Sequence, residues 1–96
     1  MKFMLIFSWK SAIEARDHAI ARFKTTGGQP PEGVTLLGRW TRADFNGGFA
    51  LLETDDPAAL GDFSMMWSDI MELTIVPVLN DSELAGVFER AGKNEL

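Results

Sequence analysis

Ninety-six residues carrying 14 acidic against 9 basic side chains have a net charge of −5, and 46% of them are hydrophobic, the balance of one ordinary globular domain rather than a disordered or fibrous segment. The cations are scattered, with no Lys/Arg run and no aromatic-basic interleaving, so nucleic acid is excluded as an expected partner because phosphate neutralisation needs clustered charge. With no cysteine, disulfides and thiolate metal sites are excluded, and a chain this short buries only roughly 60–65% of its unfolded surface, so it gains from burial at an interface.

Residues 2–9 alternate Phe3, Leu5, Phe7 and Trp9 with Met4, Ile6 and Ser8. Both sets are largely apolar, which predicts a central strand covered on both faces. Lys2 before an apolar run has the look of a signal peptide, but the run ends at Lys10 and no small-residue cleavage site follows. No stretch approaches the ~20 apolar residues of a membrane span. A cytoplasmic protein without membrane or nucleic-acid partners is the expectation.

Ser11 begins a Ser-x-x-Glu capping box with Glu14, which opens a helix running to about residue 24. Its apolar stripe is Ala12, Ile13, Ala19, Ile20 and Phe23, with Arg16 falling inside the stripe and His18 on the opposite side beside Glu14 and Arg22. Gly27-Gly28 ends the helix, and QPPEG follows as a stiff polar loop.

The chain is organised around a hairpin over residues 34–54. Strict alternation places Val34, Leu36, Gly38 and Trp40 on one face of its first strand and Thr35, Leu37, Arg39 and Thr41 on the other. Phe49, Leu51 and Glu53 share a face of the second, opposite Ala50, Leu52 and Thr54. Asn46-Gly47 is expected to supply the positive φ angles of the reversal. Asp56-Pro57 starts a second helix with an N-cap acid and a first-turn proline, and Ala59, Leu60, Phe63, Met66 and Trp67 form its apolar stripe, with Met65 outside it. Residues 70–79 return as a fourth strand, and Pro77 assigns it to an edge or a bulge because proline donates no ladder hydrogen bond. Asp81 caps a last helix bearing Leu84, Val87, Phe88 and Ala91, with Gly92 as its stop. Residues 1–92 form the single domain, and 93–96 are expected to fray.

The order strand, helix, strand, strand, helix, strand predicts an α+β domain of ferredoxin-like βαββαβ type: a four-stranded antiparallel sheet with strands 1 and 3 central, and a C-terminal helix. Two helices of about 12 residues cover only one face of such a sheet. Apolar side chains are therefore left on the other face, and an exposed patch of that size usually marks an interface. A symmetric homodimer with the two open faces together is predicted.

MKFMLIFSWK, the GRW of the hairpin, GGFALLET with DDPAAL, and IVPVL resemble a small bacterial family of unknown function with the dimeric α+β barrel fold. The resemblance covers nearly the whole chain. Its superfamily also contains cofactor-independent quinol monooxygenases, haem-degrading monooxygenases and muconolactone-type isomerases, which implies cofactor-free oxygenation or isomerisation as the chemistry to consider. Haem-degrading relatives carry their iron-binding histidine on a later helix, whereas His18 is the single histidine here.

Glu53 continues an apolar strand face, where desolvation would make it a general base for proton abstraction. The structural alternative is a carboxylate half-solvated at the strand end, or one paired with Arg39 or Arg16. Trp9, Trp40 and Trp67 are candidate walls for a planar ligand or, more commonly, packing anchors. Together with Arg16, Arg39, Phe49 and Leu51 they are the expected ligand-binding set, Arg16 or Arg39 steadying an oxyanion. His18 flanked by Glu14 and Arg22 reads as a surface group, and Asp55-Asp56 as a helix cap rather than a metal site. No metal or cofactor is expected, since one His and no Cys give no transition-metal set and neither Gly-Gly pair opens a helix as a phosphate cradle. Ser8 or Ser11 with the single histidine assembles no nucleophile. The leading expectation is a homodimer that binds a small apolar organic molecule between sheet and helices. The competing one is a non-catalytic module for self-association or protein docking.

Overall fold

The computed structural model describes residues 1–10 and 13–94. Its elements are β1 (Lys2–Trp9), α1 (Ile13–Thr26), β2 (Thr35–Thr41), β3 (Gly47–Glu53), α2 (Pro57–Trp67), β4 (Met71–Val78) and α3 (Asp81–Asn94). The strands form one antiparallel sheet in the order β2-β3-β1-β4. β1 and β3 are thus central, and Pro77 lies on the edge strand β4, the position in a sheet that tolerates a residue without an N–H. The capping box at Ser11 lies outside the described residues.

Local chemistry explains the boundaries. α1 stops where Gly27 and Gly28 take φ of 72° and 61°, with the Gly27 N–H donating to Phe23 O at 2.7 Å, a left-handed helix end that glycine adopts without a Cβ penalty. Asp56 caps α2, its carboxylate accepting from the Ala58 N–H at 3.0 Å with Pro57 in the first turn. At the other end of the chain, Asn80 and Glu83 satisfy each other's backbone N–H groups at 2.8 and 3.0 Å, a reciprocal box that starts α3. Gly92 does not stop that helix, which continues to Asn94. A lone glycine costs a helix only about 1 kcal/mol.

Register assigns the two faces of the sheet. Leu5 pairs with Ala50 and Ile75, and Phe3 with Leu52 and Pro77, so these residues share the face covered by α1 and α2. Leu5, Phe7, Ala19, Ala50, Leu52, Leu60, Phe63, Trp67 and their neighbours form the core there. Met66, expected in the buried stripe of α2, is exposed instead. That helix buries Ala59, Leu60, Phe63 and Trp67, a narrower stripe that turns Met66 outward.

The first hairpin strand departs from strict alternation. Leu36 pairs with Leu52 but Gly38 pairs with Leu51, so Leu37 is the extra residue of a β-bulge. One inserted residue reverses the phase of everything after it. Leu36 therefore shares the core face with Arg39, which pairs with Ala50, while Gly38 and Trp40 lie on the open face opposite Leu51 and Phe49. The reversal between the strands also differs from expectation: Phe45, not Asn46, takes a left-handed φ of 59°, followed by Gly47 at 148°. The Asp44 carboxylate holds this turn by accepting from the Asn46 N–H at 3.0 Å.

Ile6, Trp40, Phe49 and Val76 project from the uncovered face with 39–58% of their surface exposed. On α3, Leu84, Val87 and Phe88 are likewise exposed.

Candidate functional site

Between the sheet and the two helices lies a cavity of about 570 Å³. Leu5, Phe7, Ala50 and Leu73 form its floor from three strands, and Ala19, Ile20, Phe63 and Trp67 form its roof from α1 and α2. Small side chains make the room: Ala50 on the central strand β3 and Ala19 on α1 are both buried, where larger residues would fill the gap between sheet and helix. The exposed members of the lining, Phe23, Lys24, Thr41 and Phe45, mark the side open to solvent.

Three arrangements shape this space. At the hairpin end, the Trp9 indole N–H donates to the Phe45 carbonyl, and the Trp9 and Phe7 rings meet at 6.0 Å, tilted by 59°. The left-handed backbone of Phe45, costly for a residue with a Cβ, thus occurs where that residue contributes both a carbonyl to Trp9 and a side chain to the pocket lining. At the opposite corner, Arg22 of α1 grips the end of α2 and the segment after it. Its guanidinium donates to both Asp69 carboxylate oxygens at 2.9 and 2.8 Å and to Met66 O at 2.8 Å, and it lies 5.3 Å from the Trp67 ring centre. The bidentate hydrogen bonds from Arg22 hold the Asp69 carboxyl well below the usual carboxylate range, at about 2.

The third arrangement is Arg39. Brought to the core face by the bulge, its guanidinium donates to Gly28 O at 2.6 Å and Gly27 O at 3.0 Å and stacks 4.7 Å over Phe23. A Cβ on Gly28 would come within 2.8 Å of Arg39 Nη1 and 2.9 Å of Phe23 Cδ2, so only glycine permits this close approach. Burial pushes the Arg39 guanidinium below its ordinary value.

The expected site residues divide between the two faces. Trp9, Arg39 and Trp67 line the cavity. Trp40, Phe49 and Leu51 lie on the open face of the sheet, with the Trp40 ring against Gly38. Glu53 is on that open face too, at the end of β3 and half-buried, its carboxylate 3.1 Å from Lys2 Nζ; neither Arg39 nor Arg16 is its partner. Arg16 is half-buried on α1, pairs with Asp17 at 3.3 Å and does not line the cavity. His18 is exposed. The expected set therefore does not form one pocket: desolvation inside the sheet–helix space does not reach Glu53, because the sheet itself lies between.

Sequence reasoning passed over Lys24, Phe45 and Phe63 in the lining and Arg22 at the corner. Phe63 was legible as an apolar helix position, but nothing in the local sequence around Phe45 signals a left-handed aromatic. No group of three or more His, Asp or Glu among the described residues is arranged to hold a metal ion, and no described helix is long and apolar enough to cross a membrane.

A four-stranded antiparallel sheet with two helices on one face, in the order βαββαβ and followed by a third helix, defines an α+β domain of ferredoxin-like type. Within that class the chain belongs to DUF3303, a domain family of unknown function that matches residues 1–92. Among solved structures it is similar to that of Rv0793 from Mycobacterium tuberculosis, with a TM-score of 0.52 and 12% sequence identity over 84% of this chain and 98% of that one. At that identity the likeness is one of fold. No match is found among curated proteins.

Proposed function

We propose that this protein binds a small, largely apolar organic molecule in the space between the sheet and helices α1 and α2, and that two copies pair through their open sheet faces. The cavity itself carries the first part. Its volume of about 570 Å³ is in the range of small-molecule sites, which are mostly apolar with a few placed polar groups. Here the apolar part is Leu5, Phe7, Phe63, Trp67 and their neighbours, and the polar groups are Arg39, Lys24 and Thr41.

Pairing of two copies is supported by the exposed Ile6, Trp40, Phe49 and Val76 on the open face, since large contiguous apolar patches on soluble domains mark interfaces. The exposed Leu84, Val87 and Phe88 of α3 add a second apolar surface.

Binding is favoured over catalysis in this cavity. Among the described lining residues there is no carboxylate and no imidazole, hence no ordinary general base near neutral pH. Proton transfer by Glu53 would take place on the open face, between two sheets, with Lys2 beside it. The neutral fluorophore N-phenyl-1-naphthylamine tests the binding reading. It should brighten with the wild-type protein, and Ile20→Trp, which fills the cavity from the half-buried face of α1, should weaken its binding at least about tenfold, roughly the loss of 1.4 kcal/mol. Equal binding by a folded Ile20→Trp protein would place the probe elsewhere and refute the site.

A further inference from the structure

The charges around the cavity run against those of the chain. The sequence has 14 acidic and 9 basic residues, yet the charged residues that line the cavity are Lys24 and Arg39, both cations. Arg16, Arg22 and Arg42 each face an aspartate. Arg39 has no such partner: among the described residues no carboxylate pairs with it, and its bonds go to the uncharged carbonyls of Gly27 and Gly28. A half-buried guanidinium without a counter-charge is costly, and its remaining N–H groups are free to take an anion in a fork.

The position of that cation is fixed before any ligand arrives. Arg39 is carried by β2, stacked on Phe23 and held by the two glycine carbonyls, so little side-chain freedom is left to lose on binding. The nearby backbone cannot do the same work. The Gly27 N–H is taken by Phe23 O and the Gly28 N–H by Thr26 Oγ1 at 3.1 Å, which leaves recognition of an anion to side chains. Beyond Arg39 the walls are Leu5, Phe7, Trp67 and similar apolar groups, suited to a hydrocarbon or aromatic body and unsuited to a second charge.

We infer that the ligand is an apolar organic anion: a single carboxylate or equivalent oxyanion held by Arg39, with Lys24 at the mouth, and an apolar body against Phe7, Phe63 and Trp67. This rests on the binding reading above and narrows it to a chemical class. It excludes cationic ligands, which would meet two like charges, and polyphosphates, whose further charges would find only apolar walls.

The test compares 2-naphthoate with its uncharged isostere naphthalene-2-carboxamide at pH 7, by calorimetry or tryptophan quenching. Wild-type protein should bind the acid at least about tenfold more tightly than the amide, because a charge-assisted fork is roughly twice as strong as neutral hydrogen bonds. Arg39→Met should bring that ratio to about one while the amide affinity stays within about threefold, since the amide never uses the charge. Equal binding of acid and amide by the wild type overturns the inference and leaves the apolar pocket standing. Binding of neither overturns both. A ratio unchanged in a folded Arg39→Met protein overturns the role of Arg39. Should Arg39→Met not fold, Lys24→Gln at the exposed mouth decides: the ratio must fall about threefold by loss of one partly screened charge, and an unchanged ratio counts against the anion.

Discussion

Replacing Ile6 by glutamate tests the pairing of open faces. Ile6 stands mid-way along the central strand β1, between Phe49 and Thr74, with 39% of its surface exposed. Full burial of an isoleucine side chain contributes about 1.5–3 kcal/mol, so burying the remaining 39% contributes about 0.6–1.2 kcal/mol per protomer and about 1–2.5 kcal/mol across a two-fold interface. A carboxylate forfeits that term and has to be desolvated against the apolar side chains of the facing sheet, which costs several kcal/mol more. The sum, about 3–5 kcal/mol, raises the dimer dissociation constant roughly 150- to 4,000-fold. Sedimentation velocity at micromolar concentration reads this directly. Wild-type protein should sediment as two chains and Ile6→Glu as one, while far-UV circular dichroism stays the same because Ile6 points away from the core. A wild-type mass of one chain, or an Ile6→Glu protein that remains dimeric, would refute the reasoning.

Acid should expose the Arg22–Asp69 link. The folded-state pKa of Asp69 is about 2 against an ordinary 3.8, so the stability it supplies is present above pH 3.8 and is lost as pH falls through about 2. The difference in urea midpoint between wild type and Asp69→Asn should therefore be constant near neutral pH and shrink towards pH 2; a difference independent of pH would contradict this. Gly28→Ala should destabilise by about 1–3 kcal/mol in urea titration, combining a left-handed backbone with a Cβ pressed against Arg39 and Phe23. Glu53→Gln should change stability by less than about 1 kcal/mol, as expected for a partly exposed ion pair, and should leave N-phenyl-1-naphthylamine binding unaltered because Glu53 is on the other side of the sheet. A large loss of probe binding in that variant would place Glu53 in the site after all.

Much of the fold was legible because its signals are local. Pro77 excludes β4 from the centre of the sheet, Gly27-Gly28 marks the end of α1, and Asp56-Pro57 the start of α2; each follows from one or two residues. The faces of β1 and β3 follow from alternation alone. The faces of β2 do not, because the bulge at Leu37 reverses the phase between Leu36 and Gly38. The glycine inside that strand was the available signal, since a strand glycine often marks a bulge. That one inserted residue decides the candidate site: it turns Arg39 towards the helices and Trp40 onto the open face, where Phe49, Leu51 and Glu53 also lie. The neighbourhood of Arg39 was less accessible still. Its contacts with Gly27, Gly28 and Phe23 join a strand to a helix end, and no periodicity in either segment encodes such a meeting.

The three tryptophans allow the division of the sheet into a ligand face and a pairing face to be tested in one titration. Trp9 and Trp67 line the cavity and Trp40 stands on the open face, so their indole N–H signals, assigned in a ¹H–¹⁵N spectrum, report the two sides independently. On addition of N-phenyl-1-naphthylamine the signals of Trp9 and Trp67 should shift together and saturate with the fluorescence, while that of Trp40 stays in place. A saturating shift of Trp40 with Trp9 and Trp67 unmoved would place the ligand on the open face and contradict the account.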